Sequence, residues 1–582
     1  MNYLLRTEHC GHLNEKHLNK EVILNGWVNK RRDHGGLIFL DIRDRSGIVQ
    51  VVVDPVIKEA FSIAQKLRSE YVVAVKGEVR KRPKGTENPE LKTGQVEVEV
   101  KEIQLLNKCA ALPFELSEAE KVSEKLRLSY RFLDLRRKEM RANLELRHQV
   151  VKVARDFLND NGFIEIETPC LTKSTPEGAR DFLVPSRLTP HNFYALPQSP
   201  QLFKQILMIA GFERYYQTAR AFRDEDLRAD RQPEHTQIDI EMSFVTDEDI
   251  IKLAQSLVLK IFELIGIKAS FKEMTYEEVM QGYGVDKPDL RFDLKIKDAT
   301  GIFEKSAFKV FSQAVSAGGS IKGIKVPGGG TLSRSELEKI VEKAVEFGAG
   351  GLVWLVKENG SFKSPVAKFL SAEEQKGLSE LFEAKPQDLI LVAAGKTGLN
   401  LSVLGQLRPL LAKQFNLVKP GFEFVTIVDF PLFEWDEEEK RLKSHHHPFT
   451  LPKEEDLKML DKEPLKVNAH AYDMVINGVE VGGGSLRIYD PALQQRIFTL
   501  LGMSKQEADS KFGFLLEAFK FGAPPHGGIA FGLDRLVMLL SGAETIRDVI
   551  AFPKTQSGAD LMTGAPDTVS AAQLKELHLK TE

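Results

Sequence analysis

Two short segments of this 582-residue chain each set an arginine beside a carboxylate: Phe222-Arg223-Asp224-Glu225 and, far along the chain, Gly532-Leu533-Asp534-Arg535. A guanidinium stays charged and offers a planar fork of donors that matches phosphate oxygens. Two of them converging on one point could hold the phosphates of a nucleotide without a glycine-rich loop. Taken alone, an Arg-Asp-Glu run is also the pattern of an exposed ion pair, which is common and weak. The neighbouring residues have to decide.

Three other segments invite a ligand and are set aside. Ala394-Gly395-Lys396-Thr397 ends like a phosphate-binding P-loop, but that motif requires a glycine where the chain has Ile390. Met503-Ser504-Lys505 lacks the preceding lysine and the histidine partner of a nucleotide-binding lysine loop, and reads as the start of a helix. The triplet His445-His446-His447 suggests a metal, yet adjacent side chains converge on one ion less readily than i, i+4 pairs.

The elements that must position these residues fall into several domains, as the length suggests. Residues 20–105 read as short strands, Val22–Leu24, Leu37–Leu40, Ile48–Val53, Tyr71–Val75 and Val96–Val100, with a helix at about 56–69 and turns between them. That pattern predicts a small oligonucleotide-binding β-barrel over 1–107. Its basic residues cluster at Lys30-Arg31-Arg32 and Arg80-Lys81-Arg82, although the whole chain carries a net charge of −3. Residues 108–135 read as a hinge. Helical spacing over Arg147–Asp160 leads to a strand that closes at Pro169, and two more strands flank a polar loop within 213–245. The texture changes at about 286–418, rich in Gly, Ala and Lys, with a helix over Ser333–Phe347 and a strand at Leu389–Ala394. This reads as a domain inserted between two halves of a larger one, 136–285 and 419–556, ahead of a polar tail at 557–582. No run of eighteen apolar residues occurs and the start of the chain is not apolar, so neither a membrane span nor a secretory signal is expected. The three cysteines, Cys10, Cys109 and Cys170, are far apart, which argues against a disulfide scaffold and suits a reducing cytoplasm.

In order, these segments resemble class II aminoacyl-tRNA synthetases. The helix, strand and Pro169 resemble motif 1 of that class; Phe222-Arg223-Asp224-Glu225 with His235-Thr236-Gln237-Ile238-Asp239-Ile240-Glu241 resembles motif 2; Gly527 to Arg535 resembles motif 3. Ser174 to Asp181, Gln198 to Lys204, His446-His447-Pro448-Phe449 and Glu480 to Arg487 are similar to the bacterial-type aspartyl branch. The resemblance spans nearly the whole chain. It implies an α+β multidomain fold: an N-terminal OB-fold barrel for the anticodon, an antiparallel-sheet catalytic domain of the class II synthetase kind, and an inserted α/β domain. The implied reaction joins L-aspartate to ATP as aspartyl-adenylate and then to the 3′ end of tRNA, in a homodimer, with no membrane or DNA as partner.

The resemblance also carries residue roles. Arg223, Arg535 and Glu480 are the expected catalytic set, with Arg223 on the α-phosphate, Arg535 on the γ-phosphate and Glu480 on the Mg²⁺ that accompanies ATP. Asp224, Glu225, Gln232, His235, Gly532, Leu533 and Asp534 are the other expected nucleotide contacts; the family commonly has Phe where this chain has His235. Glu177, Ser199, Gln201, Lys204, Arg223, Asp239, His446 and Arg487 are expected around aspartate, with Lys204 and Arg487 on its side-chain carboxylate. Asparagine in that pocket should leave a buried cation unpaired. Arg32, Phe39, Gln50 and Glu97 match the family's anticodon contacts, Phe39 by stacking on a base. His34 and Gly85 match members that charge tRNA-Asn as well as tRNA-Asp, whereas strictly tRNA-Asp-specific members typically carry Leu at the first position. Ordinary turn chemistry is the other reading of that pair.

Overall fold

The computed structural model describes residues 3–175 and 179–580. They form two compact units, one ending at Val122 and one beginning at Ser123.

In the first unit, β1 (Glu21–His34), β2 (Leu37–Asp44), β3 (Gly47–Val53), β4 (Val72–Lys81) and β5 (Val96–Asn107) close into a barrel in the order β1-β2-β3-β5-β4. Alternate side chains, among them Leu24, Leu40, Val51, Val73 and Val98, fill its interior. β1 and β4 run further than the apolar pattern predicts, through Lys30-Arg31-Arg32 and Arg80-Lys81. There the outward positions are charged and mask the period-2 signal. The helix is correspondingly short, Lys58–Ala64.

The second unit is organised by an eight-stranded sheet. Its strands are β6 (Ile164–Glu165), β7 (Arg214–Phe222), β8 (Glu234–Ser243), β9 (Phe271–Thr275), β10 (Phe424–Val428), β11 (Ala471–Ile476), β12 (Val479–Leu486) and β13 (His526–Gly532). The order β9-β10-β11-β12-β13-β8-β7-β6 is antiparallel throughout its middle and parallel only in the outermost pairs. Helices Lys138–Asp160, Asp247–Phe262 and Leu533–Ser541 cover one face, burying Val150, Leu158, Leu257 and Leu536 against Ile240 and Phe531. The first of these helices begins well before the expected Arg147. Residues 138–146 carry only a sparse apolar stripe, but they are good helix formers, Met140 is buried and Leu146 packs against the core. The strand expected to reach Pro169 pairs only at Ile164 and Glu165.

Between β9 and β10 a separate five-stranded antiparallel sheet forms, in the order Lys297–Asp298, Ser320–Val326, Leu389–Gly395, Val353–Lys357, Phe362–Lys363. Helix Arg334–Glu346 packs on it, started by a capping box in which Ser333 and Glu336 bond each other's backbone N–H.

One histidine ties three parts of the second unit together. His470 Nδ1 lies 2.9 Å from Asp247 at the start of helix Asp247–Phe262, and its Nε2 lies 3.1 Å from Glu454. The Asp247 bond raises its pKa, against burial, and Glu454 adds to the rise. A histidine whose folded pKa is raised stabilises fully below its unfolded pKa and stops doing so as pH climbs through the folded one. Melting temperatures of the wild type and His470→Gln should therefore differ most at about pH 6 and converge towards about pH 8.5. A gap constant across that range would contradict the ion-pair assignment.

Candidate active site

β8 sets the site's geometry. Along His235-Thr236-Gln237-Ile238-Asp239-Ile240-Glu241-Met242, apolar Ile238, Ile240 and Met242 enter the core, while His235, Gln237 and Asp239 line a cavity of about 490 Å³ on the other face. Because side chains alternate along a strand, one pattern builds the core and the site together. Helix Gln201–Ile209 brings Gln201 and Lys204 to the cavity, β12 brings Glu480 and Arg487 lies just past its end, and β13 leads into Gly532 and Arg535.

At the deep end two cations meet two carboxylates, all essentially without exposure: Lys204, Arg487, Asp239 and Glu241. Lys204 Nζ is 3.2 Å from Asp239 and 3.3 Å from Glu241. Arg487 grips Glu241 in a fork, through Nε at 2.9 Å and Nη2 at 3.2 Å. Its Nη1 donates to His447 Nε2 and to Ser485 Oγ, both at 2.6 Å. Four of the five guanidinium N–H groups are thus committed, which leaves one on Nη2. This changes the expected basis of selectivity, since neither cation waits unpaired for a ligand. What remains is N–H donors only. A ligand carboxylate meets them with two acceptors, whereas an amide turns a donor towards a donor, at a cost of roughly 1–3 kcal/mol.

Glu241 owes its position to a missing side chain. A Cβ on Gly528 would stand 2.2 Å from Glu241 Oε2 and 2.0 Å from the Ile240 carbonyl oxygen. Burial raises the Glu241 pKa, but Arg487 and Lys204 outweigh it and the net shift is downward. Asp239 goes the other way: burial raises it and Lys204 only partly compensates. Among the described residues, Asp239 Oδ2 is also buried without a hydrogen bond, as is Gln201 Nε2. An unbonded carboxylate oxygen on a group with a raised pKa marks a place for a further cation. Glu177, also expected there, lies outside the described residues. Ser199 lines the cavity and accepts from the Gln201 N–H at 3.3 Å.

The adjacent histidines have three separate surroundings. His445 packs edge-on against Tyr276. His446 Nε2 lies 3.1 Å from Asp473; burial lowers the histidine, but the charge and hydrogen bond of Asp473, with Glu480 beside it, raise it on balance. His447 is held well below the ordinary value by burial and by Arg487, which donates to its Nε2, while the Phe449 N–H approaches its Nδ1 at 3.2 Å. His446 was the expected neighbour of the carboxylate pocket, yet His447 is the one bonded to Arg487.

At the open end Arg223 makes, among the described residues, one side-chain bond, from Nε to the Gln198 carbonyl at 3.4 Å. Arg535 donates to the Glu480 carbonyl at 3.0 Å and to Asp230 at 3.2 Å. His235 is lowered to about 3 by burial and by Arg223, Arg535 and Arg220, so its ring is neutral at physiological pH. Burial and the neighbouring Asp473 raise Glu480. Glu225 also lines the cavity and accepts from Arg231 at 2.9 Å.

Several expected nucleotide contacts have other commitments. Gln232 borders the cavity, but its amide exchanges bonds with the backbone of Lys554 at 3.0 and 2.7 Å. Asp534 accepts from the Thr236 N–H at 3.0 Å and from Arg147 at 2.5 Å, pinning β8 to the long helix. Leu533 belongs to the core beneath the sheet. Asp224 is half exposed, with its carboxylate 3.7 Å from Arg180.

Sequence reasoning gave no role to Glu241, His447 or Asp473. Glu241 was visible as the last charged position of the β8 alternation, and Asp473 as a lone carboxylate in the apolar strand Ala471–Ile476. Nothing in the sequence separated His447 from its neighbours.

In the barrel unit the expected RNA contacts form one chain of bonds. Arg32 donates to Asp41 at 2.7 Å and to Gln50 at 3.1 Å; Gln50 donates to Glu97 at 2.8 Å, which also accepts from Arg80 at 2.9 Å. Phe39 is half-buried and paired in register with Arg32. His34 closes the β1–β2 hairpin, and Gly85 sits in the turn after β4 at φ +89, both exposed.

A closed barrel and a mainly antiparallel sheet whose polar cavity is lined by Arg223, Arg231, Arg487 and Arg535 fit a class II tRNA-charging architecture. Residues 123–556 match the family described as tRNA synthetases class II (D, K and N), and residues 22–106 match the OB-fold nucleic acid binding domain. The chain belongs to that class II family. It is 55% identical to the Aspartate–tRNA(Asp/Asn) ligase of Caldanaerobacter subterraneus subsp. tengcongensis over all of this chain and 99% of that one. It is 54% identical to the protein of the same name from Aquifex aeolicus, over 99% of this chain and 98% of that one. Among solved structures, asparaginyl-tRNA synthetase from Pyrococcus horikoshii complexed with asparaginyl-adenylate shares the fold, with a TM-score of 0.60 at 20% identity over 95% of this chain and 99% of that one.

Glu241 is the residue on which the deep charges depend. Glu241→Ala should lower the unfolding free energy of the second unit by about 3–5 kcal/mol, because it strands buried cations. Denaturant titration of wild type and variant checks this, and equal midpoints would contradict it.

Proposed function

We propose that the chain activates L-aspartate with ATP and transfers the aspartyl group to the 3′ end of tRNA-Asp and tRNA-Asn. The observation that carries this reading is the buried quartet of Lys204, Arg487, Asp239 and Glu241, with Asp239 Oδ2 unbonded among the described residues and only N–H donors left over on the two cations. An ammonium group meets Asp239 and Gln201, a side-chain carboxylate meets Lys204 and Arg487, and the α-carboxylate points to Arg223. Its oxygen attacks the α-phosphorus of ATP and pyrophosphate departs; the terminal ribose hydroxyl then attacks the activated carbonyl and AMP departs. Neither step needs a protein nucleophile. The chain's part is to position the reactants and stabilise charge, with Arg223 at the α-phosphate and Arg535 at the far phosphate.

The neutral ring of His235 suits stacking on adenine, and Ser199, Glu225 and Gly532 border the bound substrates. A Mg²⁺ carried in with ATP fits Glu480 and Asp473. A Cβ on Gly483, if present, would lie 2.5 Å from Asp473 Oδ1 and 3.9 Å from Glu480 Oε1, so the bare glycine lets both carboxylates border one space. No three metal-ligating side chains gather among the described residues, so phosphate oxygens would complete its shell. The ion would neutralise phosphate charge. Exposed Ile164, Leu171 and Leu183, on and beyond edge strand β6, support a second copy as partner.

On the tRNA side, Arg32, Phe39, Gln50 and Glu97 are proposed to read the anticodon. His34 and Gly85, in neighbouring turns, are proposed to tolerate both tRNAs; the relatives named as Asp/Asn ligases support this.

Lys204→Ala should reduce aspartate-dependent ATP–pyrophosphate exchange by about 100-fold while tRNA affinity is kept. Unchanged exchange would refute the pocket assignment. Purified tRNA-Asp and tRNA-Asn transcripts should both accept aspartate, and failure on tRNA-Asn alone would restrict the range to tRNA-Asp.

A further inference from the structure

The sheet of the inserted domain leaves part of one strand without a neighbour. Strand Val353–Lys357 pairs with Leu389–Gly395 along one side, from Val353 to Val356. On its other side the outermost strand, Phe362–Lys363, covers only Val356 and Lys357. Val353 and Trp354 therefore make no backbone bond on that side among the described residues. The chain itself stops the ladder from continuing. After Lys363 it enters Ser364-Pro365, where the Ser364 hydroxyl accepts from the Val366 N–H at 3.3 Å and the Ser364 carbonyl from the Ala367 N–H at 3.3 Å. These bonds lead the segment into the helical turn Ala367–Phe369, and Pro365 has no N–H to give. Before the strand, Gly350 and Gly351 have nothing within 4 Å of where a Cβ would stand, so open space continues past its start.

A groove of about 400 Å³ lies beside that edge. Helix Arg334–Glu346 lines it with Val341, Glu338 and Glu342, the strand with Val353 and Trp354, and Pro365 and Val366 complete it. Alternation decides what faces the helix. Leu352, Trp354 and Val356 pack with Leu337 and Ile340, whereas Val353 and Leu355 belong to the core on the opposite face. A strand added at the open edge would thus set every second side chain beside Trp354, towards Val341. Val345, one turn beyond Val341 on the same helix, is 52% exposed and extends the apolar surface. Both charged residues of the lining are acidic. Glu338 is tied to Arg334 at 2.9 Å, but Glu342 has no hydrogen bond or ion pair among the described residues.

We propose that this edge docks an extended, basic polypeptide segment, which adds itself as a strand beside Val353 and Trp354, fills the groove with apolar side chains and sets a lysine or arginine on Glu342. In strand addition the main-chain bonds supply affinity and alternate side chains supply selectivity. The acidic rim selects the sign of the partner's charge. A second copy of this chain suits the edge less well, because a two-fold contact would turn the same acidic rim towards itself. Open edges are ordinarily blunted by lysine, proline or a cover. Here the cover ends at Pro365, and the residues beyond it offer an apolar floor. No residue of the groove lines the active-site cavity, so the inference stands apart from the aspartate chemistry.

The test titrates the full chain into a fluorescently labelled peptide, Lys-Thr-Val-Thr-Val-Thr-Lys, and follows anisotropy. Its lysines and valines share one face of a strand, so all four meet the groove together. Saturable binding is expected below about 1 mM peptide. Glu342→Gln should weaken it about threefold. Glu342→Lys should weaken it about tenfold and favour Glu-Thr-Val-Thr-Val-Thr-Glu instead, with aspartate-dependent exchange unchanged. Methylating the backbone nitrogens of the peptide should abolish binding, because the ladder loses its donors. No saturable binding to the wild type, equal affinity for the methylated peptide, or indifference to both Glu342 variants would each overturn the proposal. So would a halving of the protein's mass in sedimentation when peptide binds, which would assign the edge to a second copy.

Discussion

The quartet of Lys204, Arg487, Asp239 and Glu241 is the constraint around which the second unit is arranged. Burying two cations and two carboxylates is tolerable only if each is bonded and their geometry is fixed. That requirement reaches into several elements at once. Helix Gln201–Ile209 must deliver Lys204, β8 must present Asp239 and Glu241 on one face, and the end of β12 must aim Arg487 across β13. Gly528 must stay bare for Glu241 to fit, and His447 must stay neutral to accept from Arg487. A group that completes the bonding at Asp239 Oδ2 therefore binds to something already assembled, which is how a site avoids reorganising on binding.

The open end of the cavity follows the opposite logic. Arg223 is lightly held, Arg535 is lent to Asp230 and a backbone carbonyl, and Glu480 is crowded by Asp473. Such groups exchange weak partners for phosphate oxygens and a divalent cation at little cost. Rigid charge at the deep end suits discrimination between two small amino acids. Adjustable charge at the mouth suits a polyphosphate that must enter as ATP and leave as pyrophosphate.

Much of this was legible in the residues. The barrel strands, the helix before Gly162 and the interruption by a second sheet follow from apolar spacing and turn residues. Arg223, Arg487 and Arg535, with Lys204 and Glu480, were named from motif resemblance, and the structure brings them to one cavity, together with Arg231, which was not named. What could not be read was which polar atoms already have partners. Gln232 and Asp534 sit in motifs that suggest a nucleotide, yet three-dimensional neighbours from distant segments, Lys554 and Arg147, claim their side chains. The same blindness made Lys204 and Arg487 look unpaired, because Glu241 reaches them only once β8 and β12 lie in one sheet. Helix and strand ends were missed where charged residues, as in β1 and β4, carry no apolar rhythm.

The alternation along β8 has an evolutionary consequence. Seven consecutive residues, His235 to Glu241, encode wall and core in antiphase, so the segment behaves like a reading frame. A substitution disturbs one face at a time. Gaining or losing a single residue would send Asp239 and Glu241 into the hydrocarbon interior and Ile238 and Ile240 into the cavity. A change of length is therefore tolerable in the loops and the inserted domain, and not within this strand.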